Sequence, residues 1–261
     1  MSAARSRRIL GTAALALLAA SVSGQTAADR SATPGGGVRV DGTATVFGKT
    51  WHGLIGVDLD TKPGTYALTL VAPGQLDRVT TLRVVPRQFA VRRLSVPPNF
   101  VNPPADAIEQ IARDYKKTEE IFGRISARHW KDPFVLPVDG LPTSNFGTRS
   151  FFNGQRRSPH AGVDFLSPTG TPLRAANSGM VALAEPLYFT GNTVIVDYGD
   201  GLFSLFAHLS EFRVHEGDAV SPDSIVGLVG ATGRVTGPHL HWAVRLQGAR
   251  VDPLLLVAAT R

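Results

Sequence analysis

Cysteine is absent from the 261 residues. That excludes disulfides, a lipid-modified N-terminal cysteine and any thiolate metal site, so a metal bound here must be held by nitrogen and oxygen. Long runs of one charge are missing as well. Lys and Arg number 27 against 21 Asp and Glu, a net +6, yet no Lys/Arg run marks a nucleic-acid surface. A bilayer-spanning apolar run is also lacking. The N-terminal candidate, Ile9 to Val22, is too short; it follows Arg5, Arg7 and Arg8 and ends in small residues, which is the order of a signal peptide cut after Gly24 or Ala28. Removing residues 1–28 takes three arginines and no acid, lowering the charge from +6 to +3. The mature chain is therefore expected to be exported and soluble, without stable membrane insertion.

What remains divides by texture. Residues 29–37 are a small-residue linker. From 38 to 97, short alternating stretches separated by turns (Val38 to Val40, Tyr66 to Leu70, Thr80 to Val85, Phe89 to Val91) argue a small β-sandwich module. Trp51 and His52 within it read as a half-buried aromatic beside a surface histidine. Residues 98–131 open with Pro103 and Pro104 and continue as a connecting helix. Ile108, Ile111, Tyr115, Phe122 and Ile125 fall on one face of it, expected to be buried. His129 near its end joins no motif. From 132 to 261 apolar runs alternate with glycine: Gly179 to Ala184, Asn192 to Tyr198, Gly201 to Phe206, Ile225 to Gly230. No long helical pattern follows Arg128, so this half reads as an all-β domain.

Histidines concentrate there. Gly237-Pro238-His239-Leu240-His241-Trp242 reads as a turn feeding a strand, and residues two apart on a strand share a face, so His239 and His241 stand side by side. Two adjacent imidazoles invite a metal, without saying which nitrogen binds it. Trp242 points to the opposite face and reads as core. His160-Ala161-Gly162-Val163-Asp164 is a second pair. Its residues share a face on either a helix or a strand, and it can be a metal-binding pair or a hydrogen-bonded structural one. A fully extended run would separate the two Cα atoms by about 13 Å, so a bend or bulge near Gly162 is expected.

From Ser144 to Pro253 the chain resembles the M23 (LytM, lysostaphin-like) family of zinc metallopeptidases that cut peptidoglycan peptides. The motifs are Phe146-Gly147-Thr148-Arg149, His160-x-x-x-Asp164, Gly170-Thr171-Pro172, Ala207-His208-Leu209-Ser210, Val214 to Gly217, and Thr232-Gly233 through His239-Leu240-His241. The resemblance implies a mainly β chain. Its C-terminal domain would be an antiparallel sheet of LytM type (duplicated hybrid motif), with Zn2+ in a groove on one sheet face. It also implies that His160, Asp164 and His241 ligate the zinc, with His239 as general base and His208 orienting water or stabilising the tetrahedral intermediate. Such an enzyme cuts peptide crosslinks through a metal-activated water in the periplasm or cell envelope. Some relatives have lost the metal and instead activate other wall hydrolases; they lack one or more ligands, and this chain keeps all three.

Departures are visible. Some members carry a tyrosine a few residues before the first ligand, where it helps stabilise an oxyanion; here the stretch Phe151 to Arg157 has no hydroxyl aromatic, which would leave that role to Asn153 or an arginine. Tyr198 and Phe206 stand where relatives often carry His and Tyr, outside the ligand set. His215 reads as a solvated turn residue and Asp252-Pro253 as structural. The module at 38–97 could position the enzyme, bind wall, cover the groove or meet a regulatory partner.

Overall fold

The structure, a computed structural model, describes residues 15–21, 45–47, 50–70, 78–96, 101–131 and 133–261. Of these, 15–21, 45–47, 50–53, 70 and 78 are described by backbone alone, so the side chains of Trp51 and His52, like the strand expected at Val38 to Val40, lie outside the described residues.

β1 (Leu15–Ser21), β2 (Thr45–Phe47) and β3 (Thr50–Gly56) form an antiparallel sheet in the order β1-β3-β2. β1 lies within the stretch that reads as a signal peptide. β4 (Gly64–Leu70) and β5 (Arg78–Val84) form a hairpin. β6 (Val91–Leu94) runs parallel to β7 (Arg149–Phe152), which pairs with β8 (Gln155–Arg156). The remaining strands are β9 (Gly162–Phe165), β10 (Pro172–Arg174), β11 (Gly179–Leu187), β12 (Gly191–Gly199), β13 (Leu202–Phe212), β14 (Ala219–Val220), β15 (Ile225–Val229), β16 (Leu240–Leu246) and β17 (Ala249–Val251). They make one nine-stranded sheet, ordered β10-β15-β13-β12-β11-β14, with β16 beside β13, β9 and β17. Every pairing in it is antiparallel, as the family resemblance implies.

β16 shows how the sheet divides its faces. Leu240, Trp242, Val244 and Leu246 are buried while His241, Ala243 and Arg245 between them are only partly so. The first set joins Val163, Phe165, Leu202, Phe206 and Tyr198 in the main core, where each large apolar side chain contributes about 1.5–3 kcal/mol on burial. Tyr198 and Phe206 are therefore core residues. Trp242 donates its indole N–H to Ser204 Oγ at 2.9 Å, which keeps its one polar atom satisfied inside.

The opposite face is closed at one end only. Helix α1 (Ile108–Phe122) lays Ile121 and Phe122 against Leu183, Leu187, Ile195 and Phe203. Phe203 pairs with Arg245, and Arg245 lies over the Phe122 ring and meets Glu119 at 3.3 Å. Of the expected stripe, Phe122 is buried and Ile111 half-buried, whereas Ile108, Tyr115 and Ile125 are 59%, 67% and 59% exposed. The helix docks by its last turn, and upstream its contacts are polar, Asp114 Oδ2 accepting from Tyr188 N and Lys117 pairing with Glu185. Beyond α1 the same sheet face is open, and there His241 stands.

α2 (Pro253–Ala259) closes the chain. Asp252 caps it by accepting from Leu254 N at 3.0 Å, with Pro253 at the first helical position, so Asp252-Pro253 is structural as expected. His215 is exposed in its turn, and His129 uses its backbone N–H on Tyr198 O.

Arg250 on β17 ties the N-terminal strands to this sheet. Its guanidinium grips Asp58 through two nitrogens, at 2.9 and 2.6 Å, and its backbone N–H adds a third bond. Burial alone would raise the Asp58 pKa, but the hydrogen bonds and charge of Arg250 outweigh it and bring the carboxyl to about 2. A depressed carboxyl pKa contributes stability above its unfolded value and loses it as pH falls through the folded one. Arg250→Met is expected to cost about 2 kcal/mol at pH 7 and much less near pH 2, read by urea unfolding at both. An equal loss at the two pH values would count against the ion pair.

Candidate active site

Asp164 and His241 are direct cross-strand partners in the β9–β16 ladder, so their side chains rise on one face with Cβ atoms about 5 Å apart. Asp164 is fixed from its other side too, its N–H on Ser144 O at 2.9 Å and its carbonyl accepting from Thr143 N at 2.7 Å. His160 lies just before β9. The register of β9 against β16 is unbroken from Gly162 to Phe165, so the bulge expected near Gly162 is not there. Instead the chain changes partners: His160 bonds Thr148 O through its N–H and accepts from Gly147 N, whereas Gly162 onward follows β16. That change carries the His160 ring over Asp164.

The three side chains converge. His160 Nε2 is 3.0 Å from Asp164 Oδ1 and 3.0 Å from His241 Nδ1, and His241 Nδ1 is 2.9 Å from the same oxygen. The ring nitrogen on the far side of His160, Nδ1, sits 3.1 Å from Asn145 O. A carbonyl only accepts, so Nδ1 carries a proton and Nε2 is the nitrogen turned inward to Asp164 and His241. Burial would raise the Asp164 carboxyl, but hydrogen bonds and charge from His160 and His241 outweigh it and hold it well below the usual range; burial pushes His241 down. An anionic oxygen and two ring nitrogens thus meet within 3.0 Å of one another, a spacing that a shared proton bridges and that a bound metal ion also fits. Bonds of about 2.0–2.1 Å in a tetrahedral site place ligand atoms about 3.3 Å apart, close to this triangle. Two nitrogens and a carboxylate oxygen fit zinc, and the set leaves a fourth position.

Two further imidazoles border this triad. His239 lies two residues before His241, its Nδ1 2.9 Å from Gly237 O and its Nε2 3.9 Å from Asp164 Oδ1. His208 comes from β13, with Nδ1 2.9 Å from Thr232 O and its ring 4.8 Å from that of His239. Both therefore repeat the pattern of His160, with Nδ1–H on a carbonyl and Nε2 as the other ring nitrogen. Burial first, then the charge of His241, takes the His208 pKa down to about 3, so its ring is neutral at physiological pH.

His208 owes its position to a bulge that periodicity does not announce. β13 pairs with β16 up to Ala207 and with β15 from Leu209, and against β12 its register shifts between Phe206 and Leu209. At this switch His208 takes φ 66°, a left-handed conformation that costs a non-glycine residue about 1–3 kcal/mol and that surrounding structure must hold. Its N–H on Thr190 O and its ring on Thr232 O do so. A signal was present in the run itself: Phe206 and Leu209 both enter the main core, a spacing of three that a regular strand cannot give.

Asn153 does not join the site. Its side chain bonds Val96 N and Val96 O at 2.9 and 2.8 Å, clamping the β7–β8 turn to the end of β6. The oxyanion role that its sequence position offered is thereby excluded for it.

Residues 158–253 match the sequence profile of peptidase family M23. A solved peptidase M23 structure from Pseudomonas aeruginosa is 33% identical, aligns over 84% of each chain and superposes with a TM-score of 0.68. The chain belongs to peptidase family M23. Among curated M23 relatives, the peptidoglycan DD-endopeptidase ShyA of Vibrio cholerae is 37% identical over 121 residues, 45% of this chain and 28% of its own. The DD-carboxypeptidase/endopeptidase Mpg of Neisseria meningitidis serogroup B is 40% identical over 101 residues, 39% of this chain and 23% of its own. This M23 chain thus spans about a quarter of the length of the curated relatives it matches. Zinc is the cofactor that the family and the donor set share.

Proposed function

We propose that the chain is an exported zinc metalloendopeptidase that hydrolyses the peptide crosslinks of peptidoglycan. His160, Asp164 and His241 would hold the zinc, with His239 and His208 managing protons and water. The carrying observation is the inward-facing set of nitrogen and oxygen atoms: three within 3.0 Å of one another, bordered by two imidazoles that each turn Nδ1 to a carbonyl. The names of ShyA and Mpg supply the substrate class. When bound, zinc supplies Lewis acidity, polarising a carbonyl and lowering the pKa of a water.

The chain's own residues divide the remaining work. His239 keeps a partly exposed ring beside Asp164, so the positive charge it gains on accepting a proton at Nε2 is offset by the carboxylate. It is the better general base, and returns the proton to the departing amine. His208, neutral and able only to accept at Nε2, suits orienting the attacking water; in that form it cannot donate to an oxyanion. The retained ligands and both imidazoles favour this enzyme over a metal-free regulator of other hydrolases. Export with loss of residues 1–28 is part of the same reading. Among the described residues no helix is long and apolar enough to cross a membrane.

The test pairs metal analysis of the purified protein with digestion of crosslinked peptidoglycan. About one zinc per chain and release of uncrosslinked fragments are expected. His208→Ala should keep its zinc and lose about 10²–10³ in kcat. Near-full turnover in that variant would remove His208 from the mechanism, and a folded wild-type protein with neither zinc nor cleavage would favour the regulator.

A further inference from the structure

The two acceptors that hold His208 stand on loops that touch each other. Thr190, which accepts from the His208 N–H at 2.8 Å, ends the connection between β11 and β12; Thr232, whose carbonyl lies 2.9 Å from the ring Nδ1, follows β15. No side chain fits between these loops. A Cβ on Gly191 would lie 2.3 Å from the Thr232 carbonyl carbon, and one on Gly233 would lie 2.4 Å from Gly191 N. Hydrogen bonds join them too, the Asn192 N–H donating to Thr232 Oγ1 at 2.9 Å and the Arg234 N–H to Phe189 O at 2.9 Å. The pair forms one bracket around His208, so the place of that imidazole depends on what anchors the bracket.

The anchor comes from helix α1. Strand pairing between β11 and β12 ends at Leu187 and Gly191, which leaves Tyr188, Phe189 and Thr190 as the connection. Phe189 O and Thr190 O are used within the bracket, whereas the Tyr188 N–H is spent outside it, on Asp114 Oδ2 at 2.7 Å. That length lies at the short end of the range for a charge-assisted hydrogen bond. Two observations set Asp114 apart from an ordinary helix residue. Aspartate is a poor helix former compared with alanine, yet it occupies the middle of α1, while the apolar docking of the helix is done by Ile121 and Phe122 at its end. And the conformation it supports is a costly one, because His208 at φ 66° stays left-handed only where its surroundings hold it.

We propose that Asp114 is a positioning residue for His208: by fixing Tyr188 it sets the bracket that keeps this imidazole in place, so a helix outside the family-matched segment 158–253 takes part in the reaction. Asp114 acts through the backbone of residues 188–190; it touches no substrate and moves no proton. This rests on the reading of His208 as the residue that orients the attacking water.

The test uses the full zinc-loaded chain, a soluble crosslinked peptide, and the variants Asp114→Ala, Asp114→Asn and Lys117→Met. Alanine favours the helix, so the first variant is expected to fold, which thermal unfolding checks. Its kcat should fall about tenfold with KM within about twofold and zinc content unchanged, the pattern of a displaced catalytic group. Asp114→Asn keeps an acceptor oxygen and should recover most of the rate. Lys117→Met breaks the neighbouring contact of the same helix with Glu185 and should stay within about twofold of wild type. The His208 N–H is a second readout that needs no turnover: its hydrogen exchange, followed by NMR, should be about tenfold faster in Asp114→Ala and close to wild type in the other two. A change in rate without a change in that exchange, or the reverse, overturns the proposal. So does a Lys117→Met variant as impaired as Asp114→Ala, which would reduce Asp114 to one of several helix contacts. If wild type cleaves nothing, the peptidase reading fails, and the exchange comparison alone then decides whether Asp114 holds His208.

Discussion

Asp164→Asn is expected to leave a folded protein with less than about a tenth of the wild-type zinc and at least about 10³-fold lower crosslink hydrolysis, some 4 kcal/mol of lost transition-state stabilisation. The substitution preserves size and shape and removes the charge. Oδ1 of Asp164 is the one atom within 3.0 Å of both His160 Nε2 and His241 Nδ1, so it is the only anion among the three converging donors. Without it, two neutral nitrogens remain, and an amide at this place can turn an N–H toward them and occupy their lone pairs. The loss should appear first in metal content and only through it in rate. Zinc titration followed by thermal unfolding separates the two: added zinc raises the wild-type midpoint by mass action and should leave that of Asp164→Asn unmoved. A variant that keeps stoichiometric zinc would show that the triad does not hold the metal as argued.

The triad was legible because its chemistry is discrete. Imidazoles and a carboxylate at fixed spacing announce themselves whatever the backbone does, and a chain without cysteine has few other ways to hold a metal. The strands from Gly179 onward were legible for a related reason: glycine punctuates buried β-branched runs, and β11, β12, β13 and β15 follow those runs closely. Features fixed by tertiary choice were not. How much of the apolar stripe of α1 is buried depends on the patch offered by Leu183, Ile195 and Phe203, residues some sixty or more positions away, which meets only Ile121 and Phe122 at its end. Asn153 had a plausible side chain for oxyanion stabilisation; the pairing of β6 with β7, parallel and remote in sequence, took it for a clamp. The bend needed to bring His160 to Asp164 was foreseen, but its form was not, because a change of strand partner leaves no mark in the residues between.

Gly162→Ala should be the most damaging single methyl in the β9–β16 region. A Cβ at Gly162 would lie 2.3 Å from Trp242 O and 2.9 Å from Cε1 of His241, one a backbone atom in a central strand and the other part of the ring proposed to ligate zinc. Neither neighbour is the loose end of a flexible side chain. β9 and β16 must part, at a cost of about 3 kcal/mol for overpacking a fixed interface. Asp164, two residues along the same strand, moves with it, so zinc affinity should fall by about 10–100-fold even where the protein still folds, as it does when the supports of a ligand are disturbed. Gly237→Ala is the internal comparison. Gly237 stands in the His-x-His motif itself, yet a Cβ there meets nothing within 4 Å, and the carbonyl that holds His239 is unchanged. Its expected effect is within about 0.5 kcal/mol, with zinc retained. Urea unfolding and zinc titration of the two variants read the contrast directly. If both alanines were tolerated alike, β9 and β16 would not be as close as described, and the alignment of Asp164 with His241 would need another cause. If only Gly162 is intolerant, that glycine is required because Asp164 and His241, the zinc ligands proposed on two strands, can meet only where their backbones touch.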